Sequence, residues 1–228
     1  IKNNKPKIMT TKNILLSLAF VSTFAACAQN TDKRNISNFT KINASGVASI
    51  VYENSNTTSL IIEGDANEIK NIETVVKGNV LYVKANGNYK HSFKIKITSP
   101  HLEALNMSGA SNFKAPAAVK AETFSIVAKG ASSVEMPLSA KKVISELEGA
   151  SNIKLSGNTT ELVADLSGAS NLKASDLISQ NTLVTASGAS CAKVHASQKL
   201  VTNSTGASDI KYNGNPTEIL RKETSVNN

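Results

Sequence analysis

Tryptophan is missing from all 228 residues, and the aromatic share is only 4%. A β-propeller, whose blades repeat at about forty residues and usually carry aromatic motifs, has little to build on. Cysteine is nearly absent as well. Cys27 and Cys191 are the two present, too few for a disulfide framework and without zinc-ligand spacing. His91, His101 and His195 lie far apart and show no metal-ligand spacing. The chain has no glycine loop of the phosphate-cradling kind and no Gly/Asp nonapeptide of the calcium-binding kind. No metal and no cofactor is expected.

Long apolar runs are scarce too, with one exception at the start. Met9 followed by Thr10, Thr11 and Lys12 reads as the start of translation, with residues 1–8 upstream of it. Ile14 to Ala26 is an apolar run of signal-peptide length, too short to span a bilayer. It ends Phe24-Ala25-Ala26-Cys27, which resembles the lipobox of bacterial lipoproteins, where the cysteine is lipidated and becomes the first mature residue. Phe24 stands where Leu is usual; the other reading is an ordinary secretory signal cut near Ala26 or Ala28. The leader also changes the charge. Lys2, Lys5, Lys7 and Lys12 precede Cys27 and no acid does, so the net charge of +8 falls by four to +4. That leaves little basis for a nucleic-acid partner.

What the chain does have is a repeat. One phrase returns six times: Ser108-Gly109-Ala110-Ser111, Lys129-Gly130-Ala131-Ser132, Glu148-Gly149-Ala150-Ser151, Ser167-Gly168-Ala169-Ser170, Ser187-Gly188-Ala189-Ser190 and Thr205-Gly206-Ala207-Ser208. Successive glycines are 21, 19, 19, 20 and 18 residues apart. A looser copy, Ser45-Gly46-Val47-Ala48-Ser49, stands earlier. A period near twenty marks stacked units, each unable to bury its apolar face alone.

Registered on the glycine, the copies show a second period of two. Two positions before it stand Ala44, Met107, Ala128, Leu147, Leu166, Ala186 and Ser204. Four after it stand Ile50, Phe113, Val134, Ile153, Leu172, Ala192 and Ile210. Alternation on both sides means two strands, each with one buried face. The Gly-Ala-Ser between them predicts a corner at Gly46, Gly109, Gly130, Gly149, Gly168, Gly188 and Gly206. Two strands and a short third segment make one rung of about twenty residues, with rungs about 4.8 Å apart. A helical solenoid fails on the period and on its content of Gly, Ser, Asn and Thr. The expected fold is all-β: a single-chain, right-handed parallel β-helix.

The expected boundaries follow. Residues 1–27 are upstream residues and signal, and 28–38 a polar tether. Residues 39–100 are a strand-rich section continuous with the solenoid and capping its first rung. Within it, Thr74–Lys77 and Val80–Val83 flank Gly78-Asn79 as a hairpin. Residues 101–216 are the repeats, and 217–228 a polar tail expected to fray.

Arg34-Asn35-Ile36-Ser37-Asn38-Phe39, Gly78-Asn79-Val80-Leu81-Tyr82-Val83, Ile95-Lys96-Ile97-Thr98-Ser99-Pro100, Leu105-Asn106-Met107-Ser108-Gly109-Ala110-Ser111 and Tyr212-Asn213-Gly214-Asn215-Pro216 stand in an order and spacing that resembles the putative auto-transporter adhesin family, or head GIN domain. The resemblance covers about residues 34–216. It implies a β-solenoid in a secreted or lipid-anchored envelope protein of Gram-negative bacteria, and it brings no catalytic residues. Members often carry one more Gly-Ala turn after the closing Pro; Glu223-Thr224-Ser225-Val226 stands there instead, so a last rung is expected to be missing.

Two outward columns are candidate sites. Five after each glycine stand Lys114, Glu135, Lys154, Lys173, Lys193 and Lys211. Stacked, they form a mostly basic ladder that either binds an anionic polymer, such as lipopolysaccharide or acidic glycan, or is simply a solvated face that discourages lateral aggregation. The corner Asn and Ser positions form a second ladder, expected to hydrogen-bond along the stack, with a sugar-binding edge as the other reading. Cys191 occupies a slot of that ladder as a structural thiol. A carbohydrate-active enzyme needs converging carboxylates. Here Glu146 and Asp165 share one offset, while Glu135, Glu148, Asp176 and Asp209 scatter. The expectation is a non-enzymatic lipoprotein of the outer membrane, anchored through Cys27, or secreted if the lipobox reading fails. An enzyme on acidic polysaccharide and a structural protein that self-associates through its open end are the alternatives.

Overall fold

The computed structural model describes residues 30–224. The signal, the lipobox and Cys27 lie outside the described residues. Among the described residues seventeen strands join in one hydrogen-bonded sheet, accompanied by one short helix, and the all-β solenoid expected from the repeat is what forms.

The regular part begins with β8 (Ala104–Met107) and β9 (Asn112–Lys114), in the numbering of the whole chain. It continues through β10 (Val119–Ala128), β11 (Ser133–Leu147), β12 (Asn152–Leu166) and β13 (Asn171–Ala186), then β14 (Cys191–His195), β15 (Lys199–Thr205), β16 (Asp209–Asn213) and β17 (Glu218–Thr224). All neighbours in this stretch pair in parallel, with like offsets from the glycine opposite one another: Val134 with Ile153, Ile153 with Leu172, Leu147 with Leu166. Every second side chain is buried because only that face meets the interior.

The corner works by close approach. The Gly149 φ is +76°, and a Cβ added there would lie 3.0 Å from the Gly130 carbonyl oxygen. That oxygen accepts the Ala150 N–H at 2.8 Å, and the same bond recurs from Ala131 to Gly109 and from Ala169 to Gly149. Glycine is thus demanded twice, by the backbone angle and by the rung below. The serine of each phrase turns inward: Ser111, Ser132, Ser151, Ser170 and Ser190 are all buried. The expected short third segment is not separate. In β11, β12 and β13 the strands run on through a second corner near Ser139–Lys142, Asn158–Glu161 and Ile178–Asn181, keeping register although Lys141, Thr160 and Gln180 drop out of the ladder at the bend. The extra residue of the twenty-residue rung is absorbed as an irregularity opposite Lys154–Ser156.

The first section departs from chain order. β2 (Lys41–Gly46) and β3 (Ser49–Asn54) carry the loose copy, and they lie against β8 and β9. On their other side lie β6 (Val80–Ala85) and β7 (Lys94–Ser99), again parallel. The chain therefore enters at the second rung, builds the first, and returns to lay down the third. The end is closed by antiparallel strands: β4 (Ser59–Gly64) on β7, β1 (Asn30–Arg34) on β4, and β5 (Glu73–Lys77) on β6 through the two-residue Gly78-Asn79 turn. Helix α1 (Ala66–Ile69) lies between β4 and β5, with Ile69 and Ile72 buried.

Two boundaries need correction. The tether expected over 28–38 contains β1, fixed because Arg34 donates to the Ile69 carbonyl at 3.0 Å, to Thr74 Oγ1 at 2.9 Å and to the Ile72 carbonyl. The tail expected to fray contains β17, whose seven residues pair in register with β15. Its sequence carries no period-two alternation, since Arg221 shares the inward parity with Ile219, so pairing with β15 and not pattern makes it a strand.

Candidate binding faces

The outward residues of stacked rungs fall into columns. The column five after the glycine runs Val51, Lys114, Glu135, Lys154, Lys173, Lys193, Lys211 by direct strand pairing. Its charge is not uniform. Glu135 lies between two lysines, 3.2 Å from Lys114 and 3.1 Å from Lys154. The Lys154 hydrogen bond first, and that of Lys114 next, hold its carboxyl below the ordinary range. Lys211 bonds Asp209 at 2.9 Å, which raises its ammonium. Lys173 and Lys193 have no carboxylate partner among the described residues. The free positive charge is therefore concentrated at these two rungs rather than spread over the ladder.

Two positions nearer the corner runs Asn112, Ser133, Asn152, Asn171, Cys191, Asp209. Asn171 Nδ2 donates to Asn152 Oδ1 at 3.3 Å, the stacking bond expected of such a ladder. Cys191 is a free, half-buried thiol in that column. Between the two columns lies a shallow groove of about 260 Å³ bordered by Ser133, Glu135, Asn152, Lys154, Asn171 and Lys173. It presents amide and ammonium donors side by side along a straight strand face.

The acids do not converge. Glu146 and Asp165 are in register on neighbouring strands. However, Lys129 lies 3.4 Å from Glu146 and 3.0 Å from Glu148, and its hydrogen bond lowers the Glu148 carboxyl. His91 sits on Glu68, and His195 Nδ1 lies 3.3 Å from the Ser179 carbonyl. Among the described residues no group of three His, Cys, Asp or Glu could hold a metal ion.

One column went unread in the sequence. Five before the glycine stand Ile144, Val163, Leu183 and Val201, with Leu220 next, each directly opposite the last. These point outward: Leu183 is 37% exposed and Leu220 50%. The signal was present as apolar residues on the outward parity of five successive rungs, but attention to inward positions passes over it.

Parallel ladders stacked in register, with straight outward columns, place the chain in the class of single-chain β-solenoid proteins. The family described as "putative auto-transporter adhesin, head GIN domain" matches residues 38–216, and the chain belongs to it. The crystal structure of a putative adhesin from Bacteroides fragilis is similar over 87% of this chain and 94% of its own, at 26% identity and a TM-score of 0.81. A putative lipid binding protein from Parabacteroides distasonis shares the fold at 20% identity and a TM-score of 0.66, over 86% of this chain and 95% of its own. A putative adhesin from Parabacteroides merdae does so at 21% identity and a TM-score of 0.60, with the same coverage of 86% and 95%. No curated protein matches the chain. Among the described residues no helix is long and apolar enough to cross a membrane.

Proposed function

We propose that this protein is a non-enzymatic adhesin of the bacterial cell envelope, tethered to the outer membrane by a lipid on Cys27, that binds anionic polymers along its lysine column. Membership of the adhesin family supports the envelope and adhesion parts of this reading. The observation that carries the ligand class is the adjacency of Lys173 and Lys193, in register and without a carboxylate partner among the described residues, flanked by Lys154 and Lys211. Rungs about 4.8 Å apart offer a repeating set of weak contacts to a repeating chain such as lipopolysaccharide or an acidic glycan. The Asn152–Asn171 ladder adds donors and acceptors for sugar hydroxyls. Lys114 contributes less, because Glu135 holds it.

The test is binding of residues 28–228 to purified lipopolysaccharide and a glycan array at two salt concentrations. Salt-sensitive binding that falls at least about tenfold when Lys173→Ser and Lys193→Ser are combined is expected, since screening weakens exposed charge contacts. Absence of binding at both salts would overturn the ligand class and make the column a solvated face. Binding that survives the double substitution would move the site to another column.

A further inference from the structure

The two ends of the solenoid differ. At the first, antiparallel strands and α1 cover the terminal rung, Ile69 and Ile72 are buried there, and Arg34 ties β1 to the helix end. At the other, among the described residues, β16 pairs only with β14 and β17 only with β15. Each leaves one row of backbone N–H and C=O groups without a strand partner. The side chains that would continue the core lie partly open: Ile219 is 42% exposed, and Ile210 and Tyr212 are half-buried. Such an edge is a template for pairing with another strand.

We propose that this end is an interface for a second copy of the same chain, joined by antiparallel pairing of β17 with its counterpart about a two-fold axis at Leu220. Three observations point to a copy rather than to an unrelated strand. The first is self-complementary charge. With Leu220 opposite its own copy, Glu218 falls opposite Lys222 of the other chain, and the same pair forms again on the far side of the axis. In antiparallel strands directly opposed residues share a face, so both pairs meet across the seam. Centring the axis on Arg221 instead sets Arg221 against itself and Leu220 against Lys222, which has neither merit.

The second is the outward aliphatic column. In the column Ile144, Val163, Leu183, Val201, Leu220 the last member is the most exposed, at 50% against 37% for Ile144 and Leu183, with Val163 and Val201 half-buried. Leu220 against its copy continues the column across the seam and covers its most exposed member. The third is the far end. Its edge strands β1 and β5 also have one strand partner each among the described residues, but they are antiparallel additions, with β1 polar and tied by Arg34 to the helix end, so head-to-tail stacking would find no parallel rung there to continue. A two-fold contact uses the same patch on both chains and closes after two copies.

Arg221 is the residue to weigh against this. Charged side chains on the inward parity protect edges from pairing. Its guanidinium lies 5.3 Å from the Tyr212 ring centroid, over the end of the core. In the two-fold arrangement Arg221 stands opposite Ile219 of the other chain, so its aliphatic stem covers that residue while the charge keeps its place on Tyr212.

The experiment is sedimentation equilibrium on residues 28–228, which contain every described residue, over a wide concentration range. A dimer is expected. Glu218→Lys sets like charges opposite each other twice and is expected to weaken the dimer at least about tenfold. Adding Lys222→Glu is expected to restore it. That rescue separates the seam from a fold defect: within one chain Glu218 bridges Lys199 at 2.8 Å, whereas Lys222 is four residues along the strand, about 13 Å away. Circular dichroism melts of each variant check that the rungs remain. A monomer at all concentrations would overturn the proposal and leave Arg221 as an edge guard. Dimerisation that appears only when residues 225–228 are removed would overturn it too, making that segment the cover. Growth past the dimer would overturn the closed two-fold arrangement, and failure of the rescue would overturn the register.

Discussion

Gly78 and Gly149 both hold positive φ, +61° and +76°, yet they answer to different constraints. Gly78 turns a hairpin, and a Cβ there would meet nothing within 4 Å. Its substitution by Ala is expected to cost only the backbone penalty, about 1–2 kcal/mol. At Gly149 the added carbon lies 3.0 Å from the Gly130 oxygen. That oxygen cannot retreat without loosening its 2.8 Å bond from the Ala150 N–H. Gly149→Ala is therefore expected to cost about 2–4 kcal/mol, the backbone term plus strain of overpacking. Urea unfolding of the two variants checks the difference; equal losses would mean that the stack yields. The corner serines show the limit of reading residues singly. The phrase groups Ser with the corner Asn in a ladder expected to hydrogen-bond along the stack. The structure makes Ser the inward residue, with Ser190 Oγ donating to the Ser187 carbonyl at 2.9 Å, while the buried hydroxyls of Ser132, Ser151 and Ser170 make no hydrogen bond among the described residues.

An element in this fold is a rung, and rungs tolerate length changes only where parity survives. The twenty-residue rung from Gly168 to Gly188 stacks on a nineteen-residue one, and the surplus is confined to the irregularity opposite Lys154–Ser156. The flanking pairs, Leu172 with Ile153 and Val184 with Ala164, keep their register. Deleting Ser175 is expected to remove the irregularity and shift the melting temperature by no more than about 5 °C, within roughly 1–2 kcal/mol. Deleting Val163, inside a regular ladder, turns the flanking inward side chains outward and is expected to abolish cooperative unfolding. Thermal melts followed by circular dichroism distinguish the two; equal damage would argue against a confined surplus. At this scale the sequence was legible through the glycine offset, which set the strands, their inward faces and the lysine column. It was silent on the pairing of Lys129 with Glu146 and Glu148, because ion pairs depend on the rung above.

For the whole molecule the asymmetry of the ends governs stability. A solenoid is held by nearest-neighbour contacts, so a rung with one neighbour is held less firmly than one with two. The interior also changes along the axis. Tyr52, Phe113 and Phe124 are among its largest buried side chains, while Ala186, Ala192 and Ala196 line it near the other end. Amide hydrogen exchange is expected to be fastest in β16 and β17, slower in β1 with β4, and slowest in β11, β12 and β13. Protection of β17 that rises with protein concentration would accompany the two-fold contact; protection equal to that of β12 in dilute solution would contradict the open end.

The sequence by itself determined the repeat, the period-two faces, the corner and the family. These are local properties, repeated often enough that the chemistry of one rung specifies all. It did not show that the Gly46 copy lies beneath Gly109 as the second rung, since alternation states which side faces inward and not which strand lies alongside. Nor did it show that Arg34 and Glu218 belong to strands, because polar segments at the ends are ordered by contacts far along the chain, to Ile69 and Ile72 in one case and to β15 in the other. Which lysines are left free and which end is left open were decided by the stack alone: both depend on what the neighbouring rung brings to the same height.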